Sequence, residues 1–214
     1  MVAEMIRIRW WGHACFEISN GKVIVIDPHD GISIGIPPPK TKADVILVTH
    51  EHFDHNQTRI VEKEGSVVVR GEKTVNGLSV RALTAYHDKE GGARRGETTI
   101  FIFEYGGVTF CHLGDLGHML DDDLIERIGD VDILFIPVGG VFTINAQEAR
   151  RLCERMRTRV IVPMHYKIEG LALPIENIDA FIDAIGYEIR YVANEIDIDT
   201  EDFSTEKEVW VFSL

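Results

Sequence analysis

Three imidazoles and a carboxylate crowd into six residues at His50-Glu51-His52-Phe53-Asp54-His55. Histidine nitrogen and carboxylate oxygen are the usual protein ligands of zinc and of harder divalent ions. On a loop of this spacing His50 and His52 project to one side, and the turn aims Asp54 and His55 to the other. One short segment can therefore serve two neighbouring metal ions. The competing reading is a polar loop of solvated histidines, and a cluster of four ligand types directly after an apolar run argues against it.

That apolar run, Ala43-Asp44-Val45-Ile46-Leu47-Val48-Thr49, is short, β-branched and bounded by Pro37-Pro38-Pro39, which reads as a buried strand. Open α/β sheets bind ligands at the carboxyl ends of their strands, where this cluster then sits. Further strands are expected near residues 5–11, 14–19, 22–27, 66–70, 78–84, 99–105, 107–112, 131–136, 159–163, 187–192 and 207–213. Asn20-Gly21, Asn76-Gly77 and Gly106-Gly107 mark hairpin turns between them. Helices are expected near 56–63, 121–128, 146–157 and 175–185. The third carries a capping signal, Asn145 with Glu148, and sets Ala149, Leu152, Cys153 and Met156 on one face. Arg150, Arg151, Arg155 and Arg157 on the other side read as solvated charges rather than a phosphate-binding row. The acidic stretch 197–202 lacks the spacing and central glycine of a calcium loop and reads as a solvated loop before the last strand. A strand-rich first half followed by strand–helix alternation suggests two sheets with helices outside.

The H-x-H-x-D-H motif resembles the signature of the metallo-β-lactamase superfamily, and the likeness runs along nearly the whole chain. The nearest resemblance is to the group containing L-ascorbate-6-phosphate lactonase and uncharacterised metal-dependent hydrolases. It rests on Trp11-Gly12-His13, Ile26-Asp27-Pro28, His112-Leu113-Gly114-Asp115, the segment Pro137 to Thr143, and Pro163-Met164-His165-Tyr166. Leu116 departs from the threonine common there. The resemblance implies an α/β fold, a four-layer αβ/βα sandwich of two mixed sheets with helices outside, as one domain over 1–214. It also implies two metals: His50, His52 and His87 on the first, Asp54, His55 and His165 on the second, and Asp115 bridging. His87, Asp115 and His165 each end a strand-like run, so all can meet at one sheet edge. Two divalent ions, zinc first with manganese or iron as alternatives, would share a bridging hydroxide that attacks a small anionic ester, lactone or phosphodiester. Asp54 and Asp115 are the expected catalytic carboxylates, Asp54 as a ligand or a proton shuttle.

Around this set, Asp27 is expected either to orient a ligand histidine or to stabilise its own turn. His13 is expected to bind substrate or donate a proton at the site mouth, or else to be a plain strand-end histidine. The glycine-rich loop 88–96 reads as mobile, with Arg94 and Arg95 able to clamp an anionic substrate; Tyr166 is a comparable candidate. His112 reads as strand-edge structure, and His29 and His118 as surface residues.

Length and composition narrow the remaining classes. The chain has 214 residues, 45% of them hydrophobic, enough for a substantial core and without a membrane-spanning run. A formal charge of −13 argues against a nucleic-acid surface, which needs cationic contacts to phosphates. Three scattered cysteines and no leader-like segment point to a reduced, cytoplasmic setting. A homo-oligomer stays open. The alternatives are a nuclease or nucleotide phosphodiesterase, or a non-catalytic metal-binding module. A di-iron oxidoreductase is disfavoured, because His52 stands where such proteins carry glutamate.

Overall fold

The computed structural model describes residues 5–214. In chain order the strands are β1 (Ile6–Trp10), β2 (Phe16–Asn20), β3 (Lys22–Ile26), β4 (Val45–Leu47) and β5 (Val67–Val69). They continue as β6 (Lys73–Val75), β7 (Leu78–Tyr86), β8 (Glu97–Tyr105), β9 (Val108–His112) and β10 (Val131–Pro137). Last come β11 (Thr158–Met164), β12 (Glu188–Val192), β13 (Glu195–Ile198) and β14 (Glu208–Phe212). The helices are α1 (Thr58–Val61), α2 (Asp122–Ile128), α3 (Ala146–Arg155) and α4 (Asp179–Ile185).

The strands form two mixed sheets, ordered β13-β1-β2-β3-β4-β5 and β12-β14-β11-β10-β9-β8-β7-β6. In the first, β1 and β3 are both antiparallel to β2, and β4 is parallel to β3. In the second, β9, β10 and β11 are parallel, and β7 runs the same way because β8 is antiparallel to both β7 and β9. Strands that share a direction release their following loops at one edge. The strand directions therefore decide where the chemistry can gather.

The sheets pack face to face through aromatic rings. Phe16 from the first sheet meets Phe135 from the second with ring centroids 4.4 Å apart, and Trp10 and Phe212 flank it. On the outer face of the first sheet, Val25, Ile46 and Val48 join Val61 of α1 in a separate small cluster. In β10 successive residues point to opposite faces, yet Ile133, Leu134, Phe135 and Ile136 are all buried. The second sheet is thus covered on both sides, as α/β strands with apolar runs require. Leu152 and Cys153 of α3 and Phe181 and Ile185 of α4 belong to that core. The result is the two-sheet sandwich expected from the sequence.

Local signals explain most boundaries. At α3 the Asn145 side chain accepts from Glu148 N while the Glu148 carboxylate accepts from Asn145 N, the expected capping box. Asn76 and Gly77 adopt φ of 53° and 86°, the backbone that a two-residue hairpin between β6 and β7 demands. Two strands were not expected. β6 is only three residues long. β13 carries alternating charges that read as a loop, but it pairs with the edge of β1, where Asp197 and Glu195 bind Arg7 and Arg9. Only the part of 197–202 beyond Ile198 is the expected loop. The fourth helix starts later than expected, because Leu171 and Ile175 pack as loop residues against Ile34 and Ile36.

Phe16→Ala removes the ring on which both sheets close. The expected cost is about 3–5 kcal/mol, the usual range for a buried phenylalanine, read as a lower urea midpoint at unchanged m-value.

Candidate metal centre

The same-direction strands end on one edge, and the ligand-type residues follow those ends. Gly12-His13 lies just beyond β1, Asp27 directly after β3, and the His50–His55 segment beyond β4. His87 directly follows β7, Asp115 lies beyond β9, and His165 directly follows β11. Turning the chain here demands unusual backbone. His13, Asp27 and His165 have φ of 54°, 47° and 54°, and such outliers gather at functional sites. Close approach demands glycine as well: a Cβ on Gly139 would lie 2.1 Å from the His165 carbonyl oxygen, and one on Gly114 would lie 2.3 Å from Thr98 Oγ1.

One carboxylate oxygen is the meeting point. Asp115 Oδ2 lies 3.2 Å from His55 Nε2, 3.1 Å from His87 Nε2, 3.1 Å from His165 Nε2 and 3.8 Å from His50 Nε2. On either side of it stand two groups whose ligand atoms lie within 4.8 Å of one another: His50, His52 and His87, and His13, Asp54, His55 and His165. In the first, His50 Nε2 is 3.1 Å from His52 Nδ1; in the second, His13 Nε2 is 3.2 Å from His55 Nε2. The seven residues expected as ligands are therefore brought together, with His13 added to the second group.

The far sides of the rings show which way their lone pairs face. His87 Nδ1 donates to the Phe142 carbonyl at 3.0 Å. His55 Nδ1 donates to Asp27 Oδ2 at 3.0 Å, and the Thr49 hydroxyl donates to the same oxygen at 2.6 Å. The Thr49 oxygen is then free to accept from His50 Nδ1, 2.9 Å away. With their protons held outward, the Nε2 lone pairs of these rings converge on the centre, as in metal-ligating histidines backed by carbonyls and carboxylates. Asp115 Oδ1, His13 Nδ1 and His165 Nδ1 are buried without a hydrogen-bond partner. A buried carboxylate whose Oδ2 sits among these nitrogens and whose Oδ1 has no partner fits a divalent cation, and the donor types fit zinc, manganese or iron.

Electrostatics agree with a cation-binding role. Burial alone would raise the Asp115 carboxyl, but His165 and His55 outweigh it and hold its pKa well below the ordinary value. Burial likewise opposes a charge on His55, yet Asp115 and Asp27 hold that imidazole well above its usual pKa. Burial pushes His50 and His13 down to about 3.

The mouth differs from the sequence-based picture. Tyr166 was expected near substrate; instead its ring is buried 5.5 Å from Trp10, and its hydroxyl donates to Phe212 O, so it is a core residue. The loop 88–96 is not loose: Asp88 accepts from the backbone N–H of Glu90, Gly92, Arg94 and Arg95, each at 2.8 Å. Arg94 extends outward beside Glu90. Arg95 lies 4.5 Å over the Phe142 ring and borders two clefts, of about 400 Å³ beside His50 and His52 and about 240 Å³ beside His87. His29 was expected at the surface but is buried, with Nε2 donating to Trp11 O at 2.9 Å. His112 is structural, spanning the sheets to Ala14 O at 3.0 Å. His13 lies beyond the end of β1, as the other residues of the cluster lie beyond the ends of their strands.

Two mixed sheets with a histidine- and aspartate-lined centre on their common edge define a metallohydrolase fold. The chain matches the beta-lactamase superfamily domain over residues 7–165 and belongs to that superfamily. It is 30% identical over 190 residues to a metal-dependent hydrolase of Thermococcus onnurineus, covering 76% of this chain and 85% of the relative. A Pyrococcus furiosus relative is 34% identical over 193 residues, covering 80% and 88%. The solved structure of a Thermotoga maritima metallo-β-lactamase superfamily protein matches with a TM-score of 0.78 and 34% identity, over 97% of this chain and 98% of that one. By class the protein is a metal-dependent hydrolase.

Asp115 and Asp27 raise the His55 pKa and so favour a second ring proton in the metal-free protein, which a metal ion must displace. Metal binding is expected to release protons and to tighten as pH rises. Proton release on titrating zinc into weakly buffered metal-free protein, followed with an indicator dye, checks this; zinc binding without release would contradict it.

Proposed function

We propose that the protein is a dinuclear hydrolase of a small anionic ester, lactone or phosphodiester. His50, His52 and His87 hold one ion, Asp54, His55 and His165 the other, and Asp115 joins them. The observation that carries this reading is the single Asp115 oxygen within 3.1–3.2 Å of His87 on one side and of His55 and His165 on the other. When bound there, two divalent ions, zinc first, would supply an activated water near neutral pH and an electrophilic contact for the scissile group's oxygen.

The remaining steps belong to the chain itself. Asp27 fixes the His55 ring directly and the His50 ring through Thr49, so both keep their orientation during turnover. Asp54 is the carboxylate we assign to carry a proton between water and the leaving group. The Arg95 guanidinium, held on the Asp88-centred loop, binds the substrate's anionic group. A formal charge of −13 favours a small molecule over a nucleic acid, since local positive charge at the mouth does not extend over the surface. Among the described residues no helix is long and apolar enough to cross a membrane. The free, buried Cys15, Cys111 and Cys153 support a cytoplasmic setting, and one main core running through both sheets supports reading 1–214 as one domain.

Asp115→Ala is expected to lower kcat/KM on a phosphodiester, thioester and lactone panel by more than about 100-fold, beyond the range for residues that only back a ligand. Metal content should fall with it; an unchanged rate and stoichiometry would remove Asp115 from the centre.

The double substitution Arg94→Ala with Arg95→Ala should raise KM for anionic substrates about 10- to 100-fold, the loss of a charge-assisted hydrogen bond of about 1.5–3 kcal/mol. Neutral substrates should keep their KM. Equal effects on both would mean the arginines only shape the loop.

A further inference from the structure

The second metal position holds one protein donor more than the set carried by the H-x-H-x-D-H pattern. We propose that His13 is itself a ligand there, so that this position binds through His13, Asp54, His55, His165 and the shared Asp115, while the first binds through His50, His52, His87 and Asp115. The inference rests on the dinuclear reading above and deepens it.

His13 is fully buried, and its Nε2 lies 3.1 Å from Asp54 Oδ2 and 3.2 Å from His55 Nε2. Its ring packs 4.2 Å, centroid to centroid, from that of His165. It reaches this place by adopting φ of 54° directly after Gly12 at 89°. Two donors, the Trp10 indole N–H and the His165 backbone N–H, bind its carbonyl oxygen at 3.1 Å each and fix that strained turn. A non-glycine residue costs about 1–3 kcal/mol in such a conformation, and it persists where the surroundings over-determine it. A plain strand-end histidine has no need of that anchoring.

Nδ1 of His13 is buried without a hydrogen-bond partner in either tautomer, so the choice falls on Nε2, 3.1 Å from Asp54 Oδ2 and 3.2 Å from His55 Nε2. If the proton sits on Nδ1, the Nε2 lone pair faces a carboxylate oxygen and a second imidazole nitrogen, and a cation between them turns that repulsion into ligation. The four atoms His13 Nε2, Asp54 Oδ2, His55 Nε2 and a ring nitrogen of His165 share one pocket within 4.8 Å. Three nitrogens and two carboxylates exceed the tetrahedral set that zinc takes in structural sites and approach a five- or six-coordinate ion once water is added. The first position, with three imidazoles and one carboxylate, fits a four-coordinate zinc. The two positions are therefore unequal, and the second should favour a metal of higher coordination number.

The test compares the whole protein with His13→Gln and His165→Ala, each loaded with cobalt(II) or zinc. Gln retains an amide donor near the Nε2 position and so preserves a hydrogen bond to Asp54 while removing the imidazole ligand. Far-ultraviolet circular dichroism and thermal melting of the metal-free forms establish that each variant folds. The proposal expects His13→Gln to weaken the second equivalent by more than about 100-fold while the first stays bound. The cobalt form should lose one paramagnetically shifted imidazole N–H resonance, and its visible absorption should strengthen as the coordination number falls. If His13→Gln keeps two equivalents, the full set of shifted resonances and the wild-type spectrum, His13 is only a donor to Asp54 and the proposal fails alone. If wild type itself binds a single equivalent, the dinuclear reading fails, and this proposal with it. Should His13→Gln misfold, wild-type cobalt protein labelled with ¹⁵N-histidine decides the matter: a shifted His13 ring supports ligation, and an unshifted one overturns it.

Discussion

Burial of one aspartate oxygen among four imidazoles is the constraint from which the rest of this architecture follows. Asp115 comes from the second sheet, as do His87 and His165, while His50 and His55 come from the first. A carboxylate so far from water is tolerable only if charge of the opposite sign stands beside it. Each sheet must therefore deliver its histidines to the same few ångströms. The sandwich core, centred on Phe16 and Phe135, sets the distance between the sheets, and the glycines at 114 and 139 let backbone pass where a side chain would not fit. Strain at His13, Asp27 and His165 is the visible remainder of that demand.

Behind the centre lies a second carboxylate with a different task. Asp27 is fully buried on the Nδ1 side of His55 and also binds the backbone N–H and hydroxyl of Thr49. It holds one histidine by contact and another through a relay. The pair of aspartates thus divides the work, Asp115 facing the ion positions and Asp27 facing the rings that surround them. Because both are buried and both have lowered pKa values, the polar interior depends on their staying ionised.

Much of this was legible in the sequence, for a physical reason. The ligand-type residues carry chemistry that few residue types supply, and each follows an apolar run long enough to identify a strand. That is why His50, His52, Asp54, His55, His87, Asp115 and His165 could be named from spacing and resemblance. The capping box at Asn145 and the hairpin at Asn76-Gly77 were equally plain, because both are local. What escaped was non-local. β13 has the charge pattern of a solvated loop and becomes a strand only because Arg7 and Arg9 wait on the edge of β1. His29 and Tyr166 are polar types whose burial depends on a carbonyl supplied elsewhere in the chain, Trp11 and Phe212 respectively. His13 stood in view as a motif residue, but a sequence cannot show that its ring turns inward rather than toward the mouth.

The Asp88 loop has a consequence of another kind. Four backbone N–H groups converge on one carboxylate, so the shape of 88–96 is stored in the main chain and in a single side chain. Glu90, Gly91 and Ala93 contribute none of those four bonds through their side chains. Side chains at the tip can then change without altering the backbone path beside His87, with Asp88 as the fixed point.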